Sequence, residues 1–158
     1  MVKMKRTMLA MLLIVAWLMP TPILADSYSS LWKQLDRAAS KDQPKTELAI
    51  LQKIAHKATT ERAYGHLLKA QIQAVSVRQS LSPDSLRPSV IRLEGEQLKA
   101  EKAGNKVLAA VYAAVLGRAY DQFPKLCEDV ADAEAASKQW YDKSLRHPDA
   151  LAKAFATG

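Results

Sequence analysis

Over residues 29–146 the apolar residues recur every three or four positions, and no stretch of strand length alternates apolar with polar residues. That spacing stacks side chains on one side of a helix, whereas a half-buried strand needs a period of two. The patterned segments are rich in Ala, Leu, Lys, Gln and Glu, which favour helix, and poor in the aromatic and β-branched clusters that mark strands. The fold class expected is all-α.

Proline and glycine cut this pattern into successive helices. The first is expected to start at Ser29 or Ser30, which can cap free N–H groups, and to carry Leu31, Trp32, Leu35, Ala38 and Ala39 on one face. It should stop by 41–43, leaving Pro44 as a first-turn residue of a second helix whose apolar face is Leu48, Leu51, Ile54, Ala55 and Ala58. Thr59 or Thr60 is the expected cap of a third helix, with Tyr64, Leu67, Leu68, Gln71, Ile72 and Val75 sharing a face. Pro83 and Pro88 make 80–89 the clearest break, followed by a helix over 89–103 that Gly104-Asn105 terminates.

A fifth helix over 106–123 is apolar on nearly two faces, so it should be the most buried. Its Ala109, Ala110, Ala113, Ala114 and Gly117 are small enough to admit a neighbouring backbone. Pro124 ends it, and a sixth helix follows over 129–146. Short connections make neighbours antiparallel, so the expected architecture is a set of antiparallel helical hairpins in a small tetratricopeptide-like or irregular α-solenoid. Helix pairs recur at roughly 30 to 40 residues, although a strict tetratricopeptide consensus is missing. The helical-repeat domain is placed at 26–147, and 148–158 reads as a C-terminal tail without an obvious packing partner, or as the start of a missing following domain.

Residues 1–25 have a different plan. Lys3, Lys5 and Arg6 precede an uncharged run over 7–19, Pro20 and Pro22 follow, and Ala25 stands before Asp26. This is the layout of a secretory signal peptide cleaved after Ala25, and the apolar run is shorter than the roughly 20 residues of a membrane span. Those three basic residues also account for much of the net charge of +7. The remaining Lys and Arg are interspersed with acids, as on a solvated helix surface, which argues against nucleic acid as a partner. The expected location is exported, in the periplasm, cell envelope or outside the cell, with membrane contact only through the signal peptide. Cys127 is the sole cysteine, so no internal disulfide forms, and it is expected to be a small, partly buried hydrophobe.

No combination of residues points to catalysis, a cofactor or a metal. His56, His66 and His147 are far apart in sequence; the first two could meet across successive helices, but no cysteine or carboxylate stands beside them at ligand spacing. Glu94 and Glu96, and the acidic group Glu128, Asp129, Asp132 and Glu134, occur where helix starts favour acids. The five glycines are isolated, which excludes a phosphate loop or a nucleophile elbow, and Ser85, Ser89 and Ser137 lack an activating context. Trp32, Tyr64, Tyr112, Tyr120, Trp140 and Tyr141 are read as core or groove anchors.

One stretch is more specific. Ser29-Ser30-Leu31-Trp32-Lys33-Gln34-Leu35, then Lys41-Asp42-Gln43-Pro44-Lys45-Thr46 and Leu51-Gln52-Lys53-Ile54-Ala55, resembles the opening of the large exported alpha-2-macroglobulin-like proteins of Bacteroidetes. Gln139-Trp140-Tyr141-Asp142-Lys143-Ser144-Leu145 and His147-Pro148-Asp149-Ala150-Leu151 are similar to the helix that precedes that family's macroglobulin domains. The resemblance implies a helical N-terminal region of an exported protease-trapping protein. Cys127 is followed by Glu128 and Asp129, outside any macroglobulin domain, so no thioester residue carries over. The expected function is a noncatalytic helical interaction module whose partner is a protein in the cell envelope, with macroglobulin domains as one candidate. The alternative is an independent tetratricopeptide-like adaptor in envelope assembly.

Overall fold

A computed structural model describes residues 26–127 and 129–156; the signal-peptide assignment over 1–25 and Glu128 lie outside these. The described residues form seven α-helices and no strand: α1 (Tyr28–Ser40), α2 (Pro44–Glu61), α3 (Tyr64–Leu81), α4 (Leu86–Lys102), α5 (Lys106–Gln122), α6 (Val130–Ser144) and α7 (Pro148–Ala156). Short 3-10 turns at Pro83–Ser85 and Pro124–Leu126 lead into α4 and out of α5. The all-α class is as the periodicity demands.

Three of the connections are the same turn. Near the end of each helix a buried alanine, Ala38, Ala58 or Ala100, accepts at its carbonyl from the N–H five residues on, at Gln43, Ala63 and Asn105 respectively, while the N–H of the residue before that donor bonds back to the carbonyl of Ala39, Thr59 or Glu101. The residue before that donor is left-handed in every case: Asp42 at φ 52°, Arg62 at φ 57° and Gly104 at φ 70°. A left-handed residue with this pair of backward bonds satisfies the last carbonyls of a helix and sends the chain back. Gly104 takes that conformation without penalty, whereas Asp42 and Arg62 carry a Cβ into it.

The helix starts differ more from expectation. Ser27, not Ser29 or Ser30, caps α1, its Oγ accepting from Ser30 N at 3.1 Å. Thr59 and Thr60 do not cap α3. They belong to the last turn of α2 and donate back to the carbonyls of Ala55 (2.8 Å) and His56 (3.0 Å), which leaves α3 with no side-chain cap at Ala63. The fourth helix begins at Leu86 instead of 89, because Pro88 sits in its first turn, where the missing N–H has no helical partner to lose. Asn105 caps α5 and Asp129 caps α6 through their side-chain oxygens, at 3.1 and 3.0 Å.

Two apolar clusters make most of the core. Leu31 and Leu35 of α1, Ile50, Leu51 and Ile54 of α2, and Ala70 and Ala74 of α3 form the first. Val75 of α3, Leu86, Val90 and Leu93 of α4, and Tyr112, Val115, Leu116 and Ala119 of α5 form the second. Helix α3 is the shared wall, and Ala58, Leu67 and Val111 bridge the two. Helix α5 is the most buried, as its composition predicts, and touches α3, α4, α6 and α7. A helix with that many partners is a hub, more than the nearest-neighbour stacking of a simple solenoid.

The most extensive helix contact is α5 on α6. Gly117 allows it: a Cβ there would stand only 2.9–3.0 Å from the Tyr141 ring. Ser137 Oγ donates to the Gly117 carbonyl at 2.9 Å inside the same contact. The tail also departs from expectation, since 148–156 is helical and α7 lies against α5 and α3, with Phe155 reaching the first turn of α3 near Gly65.

Candidate functional site

A cavity of about 230 Å3 opens between α2, α3, α4 and α5. Helical phase selects its lining: Gln52, His56 and Thr59 come from α2, Gln71 and Arg78 from α3, Arg92 and Glu96 from α4, and Tyr112 from α5. Gln71 lies four residues after Leu67 and Arg78 seven after Gln71, so a polar and a charged residue hold core-facing positions on α3. Tyr112 is buried beside the Thr59 hydroxyl, and burial pushes its phenol up.

Arg78 is the unusual member. Its Nη1 is shielded from water and meets no hydrogen-bond acceptor. Burial, and then the charge of nearby Arg92, pull its guanidinium below the ordinary arginine range. Glu96, the carboxylate of this cavity, is bound by Lys99 at 2.7 Å. The cavity is therefore lined by two arginines and one carboxylate, next to neutral hydrogen-bonding groups.

The histidines divide among different surroundings. His56 is exposed on the α2 side of this cavity. His66 stacks on Tyr28 (ring centroids 3.9 Å apart, 11° between planes), and its Nδ1 accepts from Trp32 Nε1 at 3.0 Å. Lys69 Nζ lies 4.3 Å above the Trp32 ring, so the cluster ties α1 to α3 as an aromatic and cationic stack. Tyr28 Oη makes no hydrogen bond of good geometry, yet burial and then the adjacent Glu61 carboxylate push its phenol up to about 12. His147 is exposed at the α6–α7 turn.

The paired acids separate as well. Glu94 accepts from Tyr120 Oη at 3.1 Å, while Glu96 serves Lys99, so the two carboxylates share no partner. Of the acidic group, Asp129 is spent on the α6 cap and Asp132 and Glu134 are exposed. Ser85 and Ser89 donate to backbone carbonyls, as Ser137 does, so each hydroxyl is committed to structure. Cys127 is half-buried after the second 3-10 turn.

A second polar knot lies at the far end of α4. Lys143 Nζ donates to Gln97 Oε1 at 3.1 Å and pairs with Glu101 at 3.2 Å, which links α6 to α4. The Gln97 amide and then Lys143 hold the Glu101 carboxyl below its usual range, although Gln97 Nε2 itself reaches no acceptor at hydrogen-bond distance. Among the described residues, no three His, Cys, Asp or Glu side chains cluster to hold a metal, and no helix is long and apolar enough to cross a membrane.

Arg78 and Arg92 were not singled out from the sequence. The available signal was phase: Arg78 falls on the face of α3 that Leu67, Gln71 and Ala74 bury, where a cation has no structural reason to be. A search of family models, curated proteins and solved structures finds no match to this chain.

Proposed function

We propose that this chain is a noncatalytic helical interaction module, exported to the cell envelope, that docks a protein partner across the cavity between α2, α3, α4 and α5. The observation that carries this reading is the cavity itself: polar and cationic groups converge there from four helices, and the Thr59 hydroxyl among them is committed to the Ala55 carbonyl. The leader composition of 1–25 supports export. The Leu31-Trp32 segment resembles the opening of macroglobulin-like protease inhibitors and the Gln139-Trp140-Tyr141 segment the helix before their macroglobulin domains, which makes macroglobulin domains the first partner to seek.

The second reading, an independent tetratricopeptide-like adaptor, is favoured by one feature: the same alanine-anchored turn occurs after α1, α2 and α4, as in repeat proteins. Photo-crosslinking in the native envelope fraction tests both. A crosslinker at exposed Gln52, on the cavity, is expected to capture one defined protein, and one at exposed Lys33, on α1, is not. A captured protein bearing macroglobulin domains supports the first reading; a different envelope protein supports the adaptor. Equal capture from both positions, or none from Gln52, overturns the docking surface.

A further inference from the structure

Along the chain the cations alternate with acids, but antiparallel packing brings the α2–α3, α4–α5 and α6–α7 turns to one end of the bundle, and there the signs separate. The three turns adjoin around Gly104. One hollow at this end is lined by Arg62, Gly104 and Lys153, and the next by Gly104, Lys106, Lys143 and Arg146. Arg62, Lys102, Lys106, Arg146 and Lys153 are all exposed. Of the described acids in these turns, Glu61 pairs with Lys57 at 2.6 Å, and Glu101 with Lys143 at 3.2 Å with Arg146 also near it, which leaves Asp149 to offset that group. The opposite end is mixed, with Lys41, Asp42, Lys125 and Asp129 at its turns.

Large apolar side chains stand among these cations. Leu145, at the end of α6, is 65% exposed, and Phe155, on α7, is 45% exposed. Helix α7 lies across α3 and α5 with none of its residues buried. We propose that this end of the bundle docks on an anionic phospholipid surface, with Arg62, Lys102, Lys106 and Arg146 against the headgroup phosphates and Leu145 and Phe155 inserted beside them. Cations attract the negative headgroups, and apolar side chains at the same depth gain from entering the boundary with the acyl chains. An acidic protein would match the charge but give Leu145 and Phe155 no apolar medium to enter. None of these residues lines the cavity between α2, α3, α4 and α5, so the membrane surface is separate from the docking surface and goes beyond the interaction-module reading.

The test is co-sedimentation with vesicles of equimolar phosphatidylglycerol and phosphatidylcholine, or of phosphatidylcholine alone, using the chain as recovered from the exported fraction. Binding is expected to the anionic vesicles, weakening as salt is raised; no binding to them, or equal binding to both kinds, overturns the proposal. Each basic residue near an anionic surface is worth roughly fivefold in partitioning, so Lys106→Gln with Arg146→Gln should lower binding about twenty-fivefold. Lys41→Gln with Lys125→Gln, exposed at the opposite end, should change it little. Equal losses in the two pairs reduce the effect to net charge, and no loss in either pair places the binding elsewhere on the chain; both overturn the assignment. Leu145→Ser with Phe155→Ser should lower binding severalfold more, and unchanged binding would leave a purely electrostatic surface, such as an acidic protein also reads, and overturn the choice of a membrane. Thermal melts followed by circular dichroism check folding, and if Phe155→Ser loosens α7, Leu145→Ser alone decides that arm.

Discussion

The two core clusters are built by different means. Around α1 and α2 the core is made of large aliphatic side chains, Leu31, Leu35, Ile50, Leu51 and Ile54, facing the small Ala70 and Ala74 of α3. Where α5 meets α6, closeness comes from missing side chains: Gly117 lets the Tyr141 ring lie against the backbone, and Ala133 and Ser137 are buried opposite. The first arrangement gains its stability from apolar area removed from water, the second from tight contact and satisfied polar groups. A region of the first kind tolerates exchange among apolar residues of similar volume, while one of the second kind tolerates loss better than addition.

The largest expected effects test whether the two regions stand or fall together. Leu51 and Leu116 are each buried to within 1% of complete, one in each cluster. Leu51→Ala and Leu116→Ala should each cost about 2–5 kcal/mol. Because α3 contributes to both clusters, either variant should shift one cooperative urea transition as a whole. A biphasic curve in which only one step moves would divide the molecule into two independent units.

Gly117→Ala sharpens the contrast. The added methyl would stand 2.9–3.0 Å from three atoms of the Tyr141 ring, a distance that forces the ring or α6 to shift. Overpacking of this kind costs about 1–3 kcal/mol, and the gain in helix propensity returns about 1, so a net loss of about 1 kcal/mol is expected. In a Tyr141→Ala background the same change should become stabilising, read from the midpoints of the four urea curves of the cycle. No reversal of sign would mean that Tyr141 is not what limits the approach.

Polar contacts give the next tier, and each region holds a phenol that resists ionisation. Burial and then Glu94 push Tyr120 up to about 12, and its Oη donates to Glu94 at 3.1 Å. The folded phenol keeps its proton above the unfolded value of about 10. Its contribution is therefore complete below pH 10 and is lost as pH rises from about 10 through 12, where the unfolded chain binds fewer protons than the folded one. Tyr120→Phe should cost about 1 kcal/mol at neutral pH through the lost hydrogen bond and flatten the alkaline fall in stability. Parallel curves for wild type and variant between pH 10 and 12 would show that Tyr120 does not carry the effect.

What the sequence disclosed follows the same division. Helix existence, the burial of α5 and the stop at Gly104 were readable because each rests on local chemistry: apolar period, side-chain size, and a residue free to take positive φ. The left-handed turns at Asp42 and Arg62 were hidden, since nothing local marks an arginine for φ 57°; the tertiary docking of Ala58 imposes it. Thr59 and Thr60 misled for the opposite reason, having the right chemistry for a cap but bonding backward within α2. The cavity was invisible as a site because its arginines lie on α3 and α4, on either side of the 80–89 break, and only packing brings them together.

The smallest expected effect has the opposite sign and isolates packing from propensity. Gly95 stands in the interior of α4, as Gly117 does in α5, yet a Cβ on Gly95 would meet nothing within 4 Å. Gly95 thus keeps the full entropic cost of a helical glycine without the close approach that justifies Gly117. Gly95→Ala should raise stability by about 0.5–1 kcal/mol, measured as a higher urea midpoint at unchanged slope. The two glycines share a residue type and a helical backbone, so the difference in sign between their alanine variants can come only from the Tyr141 ring. A destabilising Gly95→Ala would place an unseen neighbour over the exposed Ile91 and Leu98 that flank it on α4, and would make that face a covered surface instead of an open one.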